Sequence, residues 1–393
     1  MSLYELKDNK RRILPLFPSA DHHLAMEAVI EGRCEGKIFV DNVRTPETVA
    51  VWTAPGDEAL LYLAGNSDNT SFNEQLRDYF VETIKPASIK KGLDAFQAYT
   101  THNWVDVLHE VIFADDDTFR DRDSYYILNP TKFKTLQPNW REHIPDGFTL
   151  KRAQTADVFE RAEDVSALNG LTSWKSFETF MEHGFAYYLE DDTNKIVSGC
   201  MTKFVTSSGC ELAIGTNGKY RRRGFATLVG CATVSEALQK GLKVIWECYH
   251  GNTASVKTNQ TLGFEYLCDE YFYLGSLCES VENDLFFGYH CLTESNDPHK
   301  AAHWFKKGIA LSEKENQPIP SGYNFYAACA FAVTGEHDLA FERLHLDVDG
   351  LQDANRFYDR LQSEKALDGL RGSQEFKKIL QRLEELIKRN RNK

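Results

Sequence analysis

From Ile214 to Leu228 the chain reads Ile-Gly-Thr-Asn-Gly-Lys-Tyr-Arg-Arg-Arg-Gly-Phe-Ala-Thr-Leu. A strand pattern runs into a basic, glycine-containing turn, and a helix pattern begins at once. The start of a helix leaves backbone N–H groups unpaired and carries the positive end of the peptide dipoles. Gly224 and Ala226 keep bulk away from a backbone that a phosphate must approach. Arg221, Arg222 and Arg223 add charge and forked donors. The chemistry these residues suit is anion binding at a helix N-terminus. The stretch is neither a Walker loop, which ends in Gly-Lys-Ser/Thr, nor a dinucleotide fingerprint. Basic turns before helices also occur without a ligand, so the residues alone leave both readings open.

The surrounding pattern predicts the elements that would hold this turn. Pro145-Asp146-Gly147 is a turn signal, followed by a strand at Phe148–Lys151 and helix patterns near 156–165 and 176–181. Strand patterns follow at Gly184–Leu189, Ile196–Met201 and Cys210–Thr216. A helix from about Gly224 to Lys240, a strand at Lys243–Cys248, a short helix from Thr253 and a strand through Tyr271-Phe272-Tyr273 complete the region. The order β-α-α-β-β-β-α-β-α-β predicts an α/β domain over 146–278, with antiparallel strands first and a βαβ unit near its end.

Residues 1–145 read as a separate α/β domain. Helix patterns near 23–30, 72–84 and 104–113 flank a hairpin, Thr48–Thr53 and Ala59–Ala64, around Ala54-Pro55-Gly56-Asp57. His22-His23 and Asp115-Asp116-Asp117 stand out, and surface or helix-capping roles are expected for both. From residue 281 to 393 the pattern is helical. Gly335 separates Asn324–Val333 from Asp338–Leu344, and Ala301 and Phe305 match Ala340 and Leu344 at a shift of 39 residues. Helix pairs with small residues at crossings resemble tetratricopeptide (TPR) repeats, with extra residues near 316–320. A last helix is expected over 375–388.

The central region resembles the GNAT acetyltransferase superfamily. Arg221, Gly224 and Ala226 meet its Gln/Arg-x-x-Gly-x-Gly/Ala signature. Asn252-Thr253-Ala254-Ser255 matches the Asn-x-x-Ala/Ser step after the fifth strand, and Leu262-Gly263-Phe264 the Leu-Gly-Phe that closes the next helix. Three motifs in the right order, on the expected elements, make the likeness specific. Ile13–Phe17, Gly32–Gly36 and Trp246–Cys248 resemble, more narrowly, the bacterial zwittermicin-resistance-like group, over roughly residues 10–275. The implied fold is a mixed, mostly antiparallel GNAT sheet with an N-terminal α/β domain and a C-terminal all-α TPR-like region. The N-terminal part could be a degenerate half of the same fold, walling one side of an acceptor pocket and holding no cofactor.

The resemblance implies acetyl-CoA as co-substrate. Its pyrophosphate would sit on backbone N–H groups of Arg222–Thr227, with Arg221, Arg222, Arg223, Gly224, Phe225, Ala226 and Thr227 as contacts. The pantetheine arm would pair with the fourth strand at Ile214 and Thr216, and Asn252 and Ser255 would contact it. The implied reaction is direct attack, in a ternary complex, by an amine of a small molecule or peptide. A carboxylate must then take the amine proton. Glu211 stands near the family's glutamate base, off by one residue unless a bulge restores the facing, and Glu247 competes. The family's tyrosine acid, seven residues after the asparagine, is replaced by Asn259. Tyr271 is the expected substitute, with Tyr273 and Cys248 as alternatives.

Composition narrows the partners. With 393 residues and a net charge of −13, a nucleic-acid partner is not expected, because phosphate neutralisation needs a basic surface; a cationic acceptor is compatible. Nine cysteines without a Cys-x-x-Cys pair predict reduced, buried thiols and no metal site. Neither an apolar leader nor an apolar run of about 20 residues is seen, so a cytoplasmic, non-membrane protein is expected. The other reading is a catalytically silent CoA-binding protein whose TPR-like tail holds a protein partner.

Overall fold

The structure is a computed structural model that describes residues 3–17, 22–56, 58–113, 118–162, 164–293, 296–320, 322–349 and 354–391. The Asp115–Asp117 run lies outside the described residues. The chain forms two compact units, residues 1–277 and 278–393.

The first part of the first unit runs β1 (Tyr4–Glu5), α1 (Leu24–Glu31), β2 (Lys37–Val40), β3 (Thr48–Thr53), β4 (Leu60–Gly65), α2 (Thr70–Tyr79), α3 (Lys85–Lys90), β5 (Ala95–Thr100), α4 (Val105–Val107), β6 (Thr118–Leu128) and α5 (Pro130–Leu136). Then follow β7 (Phe148–Arg152), α6 (Asp157–Glu160), α7 (Phe177–His183), β8 (Ala186–Asp191), β9 (Ile196–Val205), β10 (Gly209–Thr216), α8 (Phe225–Gln239), β11 (Lys243–Tyr249), α9 (Thr253–Thr261) and β12 (Phe264–Ser276). From β7 onward the element order is the expected one. The hairpin of β3 and β4 closes at Thr53 opposite Leu60. Three strands, β1, β5 and β6, were not expected from the sequence, and the helix expected over 156–165 shortens to α6.

All twelve strands form one sheet, in the order β1-β2-β3-β4-β5-β12-β6-β11-β10-β9-β8-β7. The two α/β regions are therefore not side by side as separate sheets. Each carries a parallel pair joined through a helix, β4 with β5 and β10 with β11. Between these pairs the last strand of each region crosses over: β12 pairs with β5, and β6 pairs with β11. The cores record the exchange. Tyr126 and Leu128 of β6 pack into the core of the second region, while Tyr273 and Leu277 at the end of β12 pack into that of the first. The physical consequence is that neither region can bury its apolar face without the other.

The Leu-Gly-Phe step has a structural basis. Leu262 and Phe264 are fully buried, and Gly263 has φ +88° with its backbone against Phe133, where an added Cβ would stand 2.7 Å from the Phe133 nitrogen. Only glycine meets both demands.

The second unit contains α10 (Val281–Thr293), α11 (Pro298–Glu315), α12 (Tyr323–Val333), α13 (His337–Asp349), α14 (Ala354–Ser363) and α15 (Gln374–Arg391). Gly335 (φ +84°) turns α12 into α13. The matched residues Ala301, Phe305, Ala340 and Leu344 are all fully buried. Helix α11 ends at Asn316 in the left-handed conformation, and the extra residues follow it.

Candidate functional site

The site begins where β10 and β11 part. Their parallel pairing covers only Gly209–Glu211 against Lys243–Ile245. Beyond Glu211 the strands diverge, and a cavity of about 700 Å³ opens between them. Leu212, Ala213 and Ile214 line one wall; Trp246, Glu247, Cys248 and Tyr249 line the other. Opposite Glu211 the β9–β10 register breaks, with Lys203 as the extra residue of β9. This β-bulge brings both Glu211 and Lys203 to the cavity.

The turn after β10 ends at Gly224 (φ +80°), the N-cap position of α8, where no side chain caps the helix. An added Cβ at Gly224 meets nothing within 4 Å, so the glycine is required by its backbone angle and not by space. Arg222 also adopts a left-handed angle, φ 62°. Left-handed residues just before a helix turn successive N–H groups to one side, the geometry of an anion nest. Phe225 is buried and anchors the first turn, while Ala226 and Thr227 are half-buried. The three arginines differ. Arg221 donates from Nε to the Thr216 carbonyl at 3.2 Å. Arg223 rests on the rings of Phe225, Phe148 and Tyr220 at 4.8, 5.2 and 5.7 Å. Arg222 is exposed. Behind the turn, Arg152 forks onto Glu236 of α8 with two bonds of 2.9 Å, and Tyr187 donates to the same carboxylate at 3.0 Å. These bonds hold α8 against β7 and β8.

Asn252 caps α9 by accepting from the Ser255 N–H at 3.1 Å, and the Ser255 hydroxyl accepts from the Trp246 indole at 2.8 Å. Both residues line the cavity. Thr216 does not; its hydroxyl bonds Ser198 at 2.8 Å.

The cavity floor is acidic. Glu211 faces Ile245 across the sheet, Glu247 lies two residues further along β11, and Asp123 of β6 faces Tyr249 two residues beyond that. Steps of two keep a single face, so the three carboxyls form a diagonal across three strands. Lys203 is the cation among them, donating to Glu58 at 2.7 Å and standing 3.7 Å from Glu211. Burial, then the charge of Glu247, pushes the Glu211 carboxyl well above the usual range, against the pull of Lys203. Burial also raises Glu247 and Asp123, although Tyr99 donates to Asp123 at 2.8 Å. Burial by itself would depress Lys203, but Glu58, Glu211 and Glu247 together raise it.

The first region closes the cavity. Gly56 and Glu58 come from the β3–β4 turn, Lys91, Gly92 and Leu93 from the end of α3, Gln97 from β5 and Asp123 from β6. Ser166, Ala167 and Ser173 come from the tight turns after α6. The first-region contributors could not be read from the sequence, because they reach the cavity only through the strand exchange.

Two sequence expectations change. Tyr271 does not line the cavity; it is half-exposed on β12 with the Arg120 guanidinium 3.7 Å above its ring. Strand β12 lies two places from β11, which carries Tyr271 away from the splayed edge. Tyr249 and Cys248 line the cavity instead. Tyr249 accepts a bond from Gln97 at 3.0 Å, and burial raises its hydroxyl; burial likewise pushes the Cys248 thiol up to about 11. His22 and His23 are not surface groups. They pack among Tyr62, Tyr99 and Tyr125, and His23 holds the N-cap position of α1 without a side-chain cap bond. Asn259, where the resemblance places a tyrosine, is fully buried in α9, and neither of its amide atoms has a partner among the described residues.

The mixed sheet thus carries a splayed parallel pair, a bulge beside it and, after β10, an uncapped basic helix start, the arrangement that the resemblance to acetyltransferases leads one to expect. Comparison with known proteins agrees. The profile of the family described as GNAT acetyltransferase matches residues 14–273, and the chain belongs to that family. A Bacillus subtilis (strain 168) protein, uncharacterized N-acetyltransferase YdfB, is 25% identical over 239 residues, which is 61% of this chain and 85% of that protein. The crystal structure of a GCN5-related N-acetyltransferase-like protein from Streptococcus suis 89/1591 shares the fold at 19% identity and TM-score 0.50, over 68% of this chain and 98% of that one. A tandem GNAT protein from the clavulanic acid biosynthesis pathway is similar at 11% identity and TM-score 0.47, over 71% and 99% of the two chains. The protein is thus an acyltransferase of a family that uses acetyl-CoA. Among the described residues no helix is long and apolar enough to cross a membrane.

Proposed function

We propose that the protein is an acetyl-CoA-dependent N-acetyltransferase whose acceptor is a cationic amine of a small molecule or peptide. The observation that carries this reading is the parting of β10 and β11 just past Glu211, which places a buried carboxyl in a cavity, while the same strand β10 leads on through a basic turn into the uncapped N-terminus of α8. The pyrophosphate of acetyl-CoA would rest on the N–H groups from Arg222 to Thr227, with Arg221 holding the turn and Arg222 free to reach a phosphate. The pantetheine arm would lie along the open edge of β10 at Ile214 and Thr216, against Asn252 and Ser255.

Acetyl-CoA supplies the activated acetyl group. The acceptor nitrogen must lose a proton to attack, and Glu211 receives it. A raised carboxyl is suited to that task near neutral pH. Backbone N–H groups at the splayed edge would stabilise the charge that develops on the carbonyl oxygen. Tyr249 replaces Tyr271 as the proposed donor to the departing sulfur, because it stands in the cavity and stays protonated at neutral pH. Glu247 and Asp123 would hold the acceptor's positive charge, in keeping with the acidic net balance. The reading of the second unit as TPR-like helix pairs rests on Gly335 and the buried alanines at the matched positions; the acetyl transfer does not depend on it.

The test is a thiol-release assay with acetyl-CoA and a panel of amines and peptides, beside calorimetry with CoA. Binding with release on a cationic amine is expected. Absence of CoA binding would sink the proposal.

A further inference from the structure

We propose that His22, Cys268 and Glu270 form a zinc site; none of the three lines the acyl-transfer cavity, although Glu270 stands opposite its Asp123. Their donor atoms lie within 4.8 Å of one another. His22 Nε2 stands 3.2 Å from Glu270 Oε1 and 3.9 Å from Cys268 Sγ. Zinc bonds of about 2.0–2.1 Å to nitrogen and oxygen and about 2.3 Å to sulfur give tetrahedral edges of roughly 3.3 Å and 3.6 Å. The two separations from His22 match these edges within a few tenths of an ångström, and Cys268 and Glu270 lie within 4.8 Å of each other, a gap that a small side-chain rotation closes on binding.

The backbone arranges the donors. Cys268 and Glu270 are two apart on β12 and share a face. A register break just before them, with Leu267 as the extra residue, sets Cys268 opposite Tyr125 and Glu270 opposite Asp123. His22 reaches that face from the residues before α1 and is 4% exposed. Its ring is wedged between His23 and Tyr125, each 4.4 Å away by ring centroids. A buried imidazole with fixed orientation is what a metal ligand requires.

The donor set of one nitrogen, one sulfur and one carboxylate oxygen favours Zn²⁺ over Mg²⁺ or Ca²⁺, which prefer oxygen alone. Cys268 and Glu270 are half-buried, so a water completes the fourth position. On binding, the Cys268 thiol gives its proton to solvent and the thiolate ligates. The ion would tie the chain before α1 to the strand that crosses between the two regions. Local spacing of the cysteines, on which the expectation of no metal site rested, cannot register donors 246 residues apart.

The test uses the full chain, stripped with chelator and titrated with Co²⁺ and then Zn²⁺. One equivalent of Co²⁺ should give a tetrahedral visible spectrum with a near-ultraviolet thiolate band, which Zn²⁺ displaces, and Zn²⁺ should raise Tm. Cys268→Ser should remove the band, and Glu270→Gln should keep it while weakening binding at least about tenfold. A wild-type protein without the band, or a band that survives Cys268→Ser, overturns the proposal and leaves a plain His22–Glu270 contact. CoA affinity, read in parallel, should not follow the metal.

Discussion

The two α/β regions repeat one plan and differ at the seam of their parallel pairs and at the helix start that follows the first strand of each pair. In the first, β4 and β5 stay paired from Leu60 opposite Gln97 to Leu63 opposite Thr100. Tyr62 and Tyr99 stack across that pair at 5.2 Å and 14°. In the second, pairing of β10 and β11 stops at Glu211, and the gap becomes the cavity. The helix starts differ in the same sense. Asn69 caps α2 by accepting from the Phe72 N–H at 3.3 Å, and its amide donates to Asp41 at 3.2 Å. Helix α8 has no side-chain cap, and arginines precede it. The first region thus has a filled seam and a capped helix start beside Asp41, whereas the second has an open seam and an uncapped, basic start, where the acyl carrier is proposed to lie. The lesson is that a repeated architecture carries chemistry only where backbone hydrogen bonds are left unmade.

This contrast can be broken at the base first. Glu211→Gln should lower kcat by about 10²- to 10⁴-fold, with CoA affinity in calorimetry unchanged. In the wild type, kcat/KM should fall as pH drops through the raised Glu211 pKa, because a protonated carboxyl cannot accept the amine proton. That lower inflection should vanish from the residual rate of Glu211→Gln, while the acceptor's own ionisation remains at higher pH.

Next comes the helix start. Gly224→Glu forces a side chain into a left-handed angle and sets a negative charge at the phosphate position, so CoA affinity should fall roughly a hundredfold. Retention of full affinity would remove the loop from the binding site. A smaller effect is expected at the acid. Tyr249→Phe should reduce kcat by roughly tenfold, the low end for acid catalysis because a thiolate leaves readily, and Tyr271→Phe should leave it unaltered. Equal losses in both would show that the hydroxyls act only through packing. Last, Asn69→Ala in the first region should cost about 1 kcal/mol in a denaturant melt and leave CoA affinity as it was. If CoA affinity dropped instead, the first region would share in cofactor binding.

Much of the second region could be read from residue patterns. The element order from β7 to β12 follows from alternating apolar runs, glycines and turn residues. The anion turn was legible because Gly224, Ala226 and three arginines stand together in the chain. The first region was less legible: both partners of β6 and one partner of β5 lie more than a hundred residues away, and the charged residues of β6 hide its period. Tyr271 was misread for the same reason. Its place on a strand was correct, but which neighbour that strand takes decides whether it meets the cavity.

The sequence by itself therefore determined a helix that starts at Gly224 behind three arginines, a strand that carries Glu211 near its start and a helical C-terminal unit, since each depends on residues within a few turns of one another. The tertiary structure decided the exchange of β6 and β12, the bulge that turns Lys203 toward Glu211, and the carboxyl diagonal that draws Asp123 beside Glu247. Those features arise from long-range strand pairing, whose register is set by how two regions jointly bury their cores, and no local stretch of sequence holds that information.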